Sequence, residues 1–336
     1  MAKVELRVLT RDQVDELMPS MSEIMVLVEQ GLNAHGEGEV VLPPKSHIHL
    51  DDRYNGHFNV LAGWVGPIDT AGVKVVGDYV DNYEHDLPSE VGLLTLYNPH
   101  TGVPEAIMDA TSITARRTGA VTGVGAKHLS IENARVLGHL GARGSAYSNI
   151  EAICRQRPIE EVRINSLRAE TRERLAAEVE HGLSVRAVAV DSAREAVEGA
   201  DIVVEATRLE RAEVLIRDEW LMPHCLLVTF GWVMATDPET VSTATKVVVD
   251  DWEQCTKGGQ LSSLIADGRL TRDNVHAELG EVTAAIRPGR ITSDGKIVLW
   301  HRGFAISDIM VGKRISELAQ RNDVGTVIQL FDRAGT

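Results

Sequence analysis

Apolar residues recur at three- and four-residue spacing over residues 11–35, where Val14, Leu17, Met21, Ile24, Met25, Val28 and Leu32 share one side of a helical projection. This spacing predicts one amphipathic helix or two. Over residues 40–97 the rhythm shortens. Apolar runs at 46–50, 57–61, 71–76 and 92–97, with 105–108 after them, are parted by turn residues such as Asn55-Gly56 and the stretch from Pro99 to Gly102. An antiparallel sheet with hairpins is expected there. A helix rich in Ala, Gly and Thr follows over 111–129. Beyond it, short apolar strands at 136–140, 161–166, 185–188, 202–206, 226–230 and 247–250 alternate with helical segments at 146–155, 169–180, 192–198 and 238–244. That alternation predicts a parallel, doubly wound sheet. The tail, at 307–320 and again at 325–331, reads as helical.

A chain of 336 residues exceeds the usual single core and points to two domains at about 100–200 residues each. Its net charge of −15 argues against a nucleic-acid partner, which needs clustered Lys and Arg. No apolar run approaches the roughly 20 residues of a membrane span. Charges occupy the N-terminus where a signal peptide has its apolar core. Cys154, Cys225 and Cys255 stand far apart, so neither a disulfide framework nor a zinc site is indicated. A cytoplasmic protein is expected.

The chemistry concentrates first at Gly138-His139-Leu140-Gly141-Ala142-Arg143-Gly144, between a strand and a helix. A dinucleotide site needs a strand, a glycine turn and a helix whose first amides face the pyrophosphate. The G-x-G-x-x-G/A pattern aligns on Gly141-Ala142-Arg143-Gly144-Ser145-Ala146, with Gly141 for the turn and Ala146 for close packing. Arg143 stands where a glycine normally lets the backbone approach the phosphates. Two readings remain open: its guanidinium contacts a phosphate directly, or it points to solvent and binding is weakened. After the next strand, where an acid would hold the ribose hydroxyls, the chain has Asn165-Ser166-Leu167-Arg168. With no acid and an arginine close by, NADP(H) is favoured, with NAD(H) possible; otherwise Arg168 merely decorates the following helix.

Further blocks accompany this turn: Ala71-Gly72-Val73-Lys74-Val75-Val76, Gly102-Val103-Pro104-Glu105-Ala106-Ile107-Met108-Asp109, Thr114-Ala115-Arg116-Arg117-Thr118 and Glu278-Leu279-Gly280-Glu281-Val282. Through them nearly the whole chain resembles the ornithine cyclodeaminase/mu-crystallin family, which includes alanine dehydrogenases and ketimine reductases. The resemblance implies an α/β protein in which a Rossmann doubly wound parallel sheet is inserted into an α+β substrate-binding and dimerisation domain. The boundaries expected are 1–125 plus 305–336 for the latter and 126–304 for the former. It also implies a homodimer, an active site in the interdomain cleft, and a basic clamp on the substrate carboxylate. Lys74 and Arg117 match the clamp, and Lys45 matches its upstream arginine without the bidentate fork. Cations on a half-buried sheet face call for an anionic partner in any case. The cofactor set expected is Thr118, Gly141, Ala142, Arg143, Gly144, Ser145, Ser166, Arg168, Thr207, Gly231 and Arg302; Lys74, His301 and Asp308 are the catalytic candidates.

The chain also departs from the family. Val233 stands where ornithine cyclodeaminases carry their acid/base aspartate, and proton transfer needs a titratable group. Nearby Asp237 reads as a helix cap before Pro238. Trp300-His301-Arg302-Gly303 replaces a serine-containing segment, so His301 either takes over proton transfer or makes a structural hydrogen bond. His47 and His49 share a strand face, with His57 and His85 nearby, yet no characteristic ligand spacing follows and no metal is expected. Asp78, Asp81 and Asn82 are candidate pocket residues beyond Lys74. The expected function is an NAD(P)H-dependent oxidoreductase of a small imino or amino acid, since hydride chemistry belongs to the cofactor. The alternatives are an amino-acid cyclodeaminase with bound NAD and a non-catalytic nucleotide-binding homologue.

Overall fold

The computed structural model describes residues 3–209, 211–230 and 233–331. It divides into two compact units, Met1–Arg117 with Phe304–Thr336, and Thr118–Gly303. The passage from one to the other falls inside the helix Thr111–Leu129.

The first unit contributes β1 (Val4–Leu9), β2 (Val40–Val41), β3 (Ser46–His49), β4 (Gly56–Val65), β5 (Thr70–Tyr79), β6 (Glu90–Tyr97) and β7 (Pro104–Asp109). The second contributes β8 (Val136–Leu140), β9 (Glu161–Asn165), β10 (Arg186–Ala189), β11 (Ile202–Glu205), β12 (Leu226–Thr229), β13 (Lys246–Val249), β14 (Ala277–Glu278) and β15 (Ile297–Trp300). The chain then returns to the first unit with the helix Ala305–Asn322 and β16 (Thr326–Phe331).

In the first unit the strands run β16-β1-β7-β6-β5-β4-β2, with β3 also on β4. Pairing is antiparallel except between β1 and β7. Residues 325–331 therefore correct the helical expectation. Asp323 and Gly325 both take positive φ and end the preceding helix, and the β-branched run of Thr326, Val327 and Ile328 pairs along the edge of β1. Strand β1 itself was not anticipated, because alternating charges mask its short apolar pattern.

The period of two along β5 explains how this sheet receives its helix. Thr70, Gly72, Lys74 and Val76 are buried on one face. The helix Ala305–Asn322 crosses β4, β5 and β6 on that side, and the helix Met21–Gly36 packs against it. The approach is tight at Gly72, where an added Cβ would lie 2.7 Å from Ile309 Cγ1 and 3.3 Å from Leu96 Cδ2.

In the second unit the order is β10-β9-β8-β11-β12-β15-β13-β14, and all its pairings are parallel. Strands β11, β12, β13 and β15 are buried at every position, as expected of a sheet covered by helices on both faces. The order reverses between β8 and β11, and ligands of such sheets bind at that switch point. Among the described residues no helix is long and apolar enough to cross a membrane.

Replacing Gly72 with Val should force the Ile309 helix off the sheet. A loss of about 1–3 kcal/mol is expected, read as a lower denaturant midpoint. An unchanged midpoint would show that the close approach carries no strain.

Candidate active site

Lys74 lies on the helix-facing side of β5 and is 1% exposed. Such a cation needs hydrogen-bonding partners. Its Nζ donates to Asp308 Oδ1 at 2.6 Å and to Thr114 Oγ1 at 3.1 Å. Thr114 and Arg117 stand one turn apart on the helix Thr111–Leu129. Arg117 Nε donates to the same Asp308 Oδ1 at 3.1 Å. Two cations thus converge on one carboxylate oxygen, while Asp308 Oδ2 is buried with no partner among the described residues. Burial, and next the Arg117 charge, lower the Lys74 ammonium to about 8, against the opposing pull of Asp308. The trio by itself carries one surplus positive charge, with the charge of Glu90 also acting on Lys74, and a buried surplus of that kind is relieved by an anion. Lys45 is half-buried at the entry to β3. Extending the ladder one residue past Ser46–Val60 puts Lys45 opposite Leu61, which pairs with Lys74.

In the second unit the glycine turn joins β8 to the helix Ala146–Gln156. Gly141 has φ +98, and a Cβ there would collide with the Ala206 carbonyl oxygen after β11. Gly144 has φ +57. Both conformations favour glycine. Ala142 is buried, and Arg143 is exposed, its carbonyl accepting the Ala146 amide at 3.1 Å. Ser145 precedes the helix without a side-chain cap. Beneath the turn, buried His139 directs Nδ1 to the Gly141 carbonyl at 2.8 Å, and Asn149 Nδ2 faces its Nε2 at 3.3 Å. Burial lowers the His139 pKa to about 4, so the ring is neutral, donating from Nδ1 and accepting at Nε2. His139 was not singled out from sequence; its place between two glycines of the turn was the available signal.

Thr207 sits beside this turn. Its backbone amide donates to Glu205 Oε1 at 2.8 Å, and its hydroxyl bonds the same oxygen. Glu205 also receives Gln260 Nε2 and Thr229 Oγ1. Burial raises its pKa against these bonds. Glu205 escaped the sequence reading because an acid ending a hydrophobic strand looks like a solvated boundary. Thr118, half-buried, uses its carbonyl to accept the Thr122 hydroxyl at 3.1 Å.

His301 follows β15 and is 2% exposed. Its Nδ1 lies 2.9 Å from Asp250 Oδ2, and its ring meets Phe230 edge to face. The same Asp250 oxygen accepts the amides of Arg302 at 2.7 Å and Gly303 at 2.6 Å. Asp250, also unanticipated, therefore orients both His301 and the loop behind it. The Arg302 side chain packs against Gly259. Asp237 caps its helix by accepting the Glu239 amide at 3.0 Å, as its position before Pro238 implied. Val233 is half-buried, and Gly231 lies outside the described residues.

At the end of β9, Ser166 Oγ contacts Thr171 Oγ1 at 2.9 Å and the Arg168 carbonyl at 3.1 Å. Arg168 is exposed at the start of the helix Ala169–Leu183. Arg172 NH1 donates to the Ser166 carbonyl at 3.0 Å. Its NH2 pairs with the Asp191 carboxylate, so an acid from beyond β10 already holds this arginine against the turn.

The model of the Ornithine cyclodeaminase/mu-crystallin family matches residues 4–323. The alanine dehydrogenase of Archaeoglobus fulgidus is 31% identical over 333 residues, covering 98% of this chain and 99% of its own. The solved structure of Thermococcus litoralis Δ1-pyrroline-2-carboxylate reductase, in complex with NADH and L-proline, superposes with a TM-score of 0.89 at 29% identity. It covers 95% of this chain and 99% of that one. An archaeal alanine dehydrogenase dimer with bound NAD superposes with a TM-score of 0.89 at 31% identity, covering 97% and 100%.

Gly141→Ala should abolish nucleotide stabilisation of the second unit, since the left-handed turn and its contact with Ala206 leave no room for a methyl group. Thermal-shift titration measures this. Wild-type-like stabilisation of the variant would place the nucleotide elsewhere.

Proposed function

Because the chain belongs to the ornithine cyclodeaminase/mu-crystallin family, we propose that it is an NAD(P)H-dependent oxidoreductase of small imino and amino acids. The observation carrying this reading is the buried Lys74–Asp308–Arg117 trio with its surplus positive charge. Arg117 receives the substrate carboxylate, with Lys45, in register with Leu61 and Lys74, as the further cation of the clamp. Lys74 exchanges a proton at the substrate nitrogen, and Asp308 holds both cations in place. The residues of the glycine turn fit a dinucleotide: Gly141 brings backbone close, and the uncapped helix start behind Ser145 offers amides to a pyrophosphate. When bound, that nucleotide supplies or accepts the hydride.

Thr118, Ala142, Arg143, Gly144, Thr207 and Arg302 complete the proposed nucleotide set, and Gly231 remains in it by sequence alone. Ser166 in place of an acid and the exposed Arg168 beside it favour a 2′-phosphate, hence NADP(H) over NAD(H). His301, fixed by Asp250 at the carboxyl end of β15, is a second proton carrier at the nucleotide end of its sheet. A cyclodeaminase reading is disfavoured because Val233 cannot titrate. Three free cysteines accord with a cytoplasmic location.

The chain forms a homodimer in this reading. Ile48, Val75, Val91 and Leu93 are 40–52% exposed on the sheet face opposite Lys74, and an apolar surface of this kind marks an interface. Leu93→Glu should convert dimer to monomer in light scattering. A variant that stays dimeric would exclude this face.

The activity is tested by following NADPH and NADH oxidation against cyclic imino acids and against 2-oxo acids with amines. Turnover is expected, with the lower KM for NADPH. No turnover and no thermal stabilisation by any nucleotide would overturn the proposal. Lys74→Met should lower kcat by about 10²–10⁴-fold. A lysine that donates a proton must be charged. Reduction should therefore be independent of pH below about 8 and fall above it, the oxidative direction rising through the same point. A profile insensitive to pH near 8 would exclude Lys74 as the donor.

A further inference from the structure

Glu205 ends β11 after Ile202, Val203 and Val204, and it is fully buried. A carboxylate in that place is costly unless donors reach it. Oε1 accepts the Thr207 amide at 2.8 Å and the Thr207 hydroxyl. Oε2 accepts Gln260 Nε2 and lies 3.3 Å from Thr229 Oγ1. The Gln260 amide is itself fixed in orientation, because its Oε1 accepts the Thr229 and Thr236 hydroxyls. Gln260, Thr229 and Thr236 are all buried. Among the described residues every partner of Glu205 is a neutral donor and none is a cation. Burial raises its pKa, whereas donors converging on both oxygens favour the ionised form. The ionised group is an anion held by dipoles alone.

Its place in the sheet gives that charge a use. The order β10-β9-β8-β11-β12-β15 is that of two mononucleotide-binding halves meeting between β8 and β11. The glycine turn after β8 and the ribose position at Ser166 after β9 belong to the first half. Strands β11, β12 and β15 form the second, whose carboxyl ends would face the nicotinamide half of a dinucleotide seated at the glycine turn. Glu205 and Thr229 are the last residues of β11 and β12. Arg302 and Asp250, also at this edge, oppose each other in charge.

Resting on the oxidoreductase reading above, we propose that Glu205 is a specificity-determining residue that favours the oxidised over the reduced nucleotide. The two forms differ by one positive charge on the nicotinamide ring, and a buried anion near that ring stabilises the charged form. Repulsion between Glu205 and the pyrophosphate is common to both forms and cancels in the comparison. The same charge eases reduction of an imine. The hydride leaves with its electron pair for the imino carbon, and the ring it leaves becomes a cation that Glu205 stabilises. Glu205 thereby makes the bound reduced nucleotide a stronger hydride donor.

Calorimetric titration of the whole chain with NADP⁺ and NADPH, and with NAD⁺ and NADH, gives the ratio of oxidised to reduced dissociation constants. It is measured for the wild type, Glu205→Gln and Glu205→Thr, with circular dichroism verifying that each variant is folded. Gln keeps the size without the charge. Thr is short and β-branched, which suits a buried strand end should the Gln amide disturb the donors. In each variant the ratio should rise about tenfold or more, because the oxidised form loses its counter-charge and the reduced form does not. A purely structural support for Thr207 would change both affinities by one factor. An unchanged ratio in the folded variants therefore overturns the assignment and leaves the oxidoreductase reading intact. A wild type that binds no nucleotide overturns both.

Discussion

One carboxylate oxygen, Asp308 Oδ1, accepts from both Lys74 Nζ and Arg117 Nε, and the first unit is organised around that constraint. A lysine on the buried face of a central strand is costly unless charge and hydrogen bonds reach it. Those partners come from distant sequence: Thr114 and Arg117 from the helix after β7, and Asp308 from the helix that follows β15. Asp308 thus reaches the first unit only after the sequence has passed through residues 118–303 of the second. The closing helix needs a near approach to the sheet, which Gly72 permits. The resulting trio has an excess of one cation. That excess is the basis of the proposed anion receptor, since a closed structural ion pair needs only equal charges.

The second unit solves a related problem with neutral and acidic groups. His139 ties down the Gly141 carbonyl, Glu205 holds the amide of Thr207, and Asp250 collects His301 with the amides of Arg302 and Gly303. These residues follow or end the strands at the carboxyl edge of the parallel sheet. Each trades the cost of burying a polar side chain for a fixed loop conformation. A nucleotide-binding edge built this way has little to reorganise on binding, and that favours affinity.

Legibility in the sequence followed the range of the interaction. The helix Thr111–Leu129 and the strands β8 to β13 show their own local pattern, whereas β14 and the four-residue β15, which lies between β12 and β13, were not anticipated. Residues 325–331 failed because a six-residue strand exposed throughout has no buried face to print an alternation. Lys74 was conspicuous as a charge among valines, and Gly141 as a turn glycine. The bonding of Asp308 to Lys74, 234 residues apart, could not be read from spacing, and resemblance alone pointed to Asp308. Asp250 and Glu205 left no signal, since an acid at a strand end is ordinary until its burial is known. Arg143 is exposed in the turn, and its side chain stands outside the backbone geometry that Gly141 and Gly144 impose.

The most direct test of a carboxylate receptor at Arg117 and Lys45 is calorimetric titration of the nucleotide-loaded protein with a cyclic amino acid and with its primary amide. The two differ only in the group that the cations would meet. The acid should bind at least about 100-fold more tightly, the scale of losing a charge-assisted hydrogen-bonded contact of about 3 kcal/mol, and Arg117→Met should erase the difference. Equal affinities for acid and amide would contradict the account at its centre.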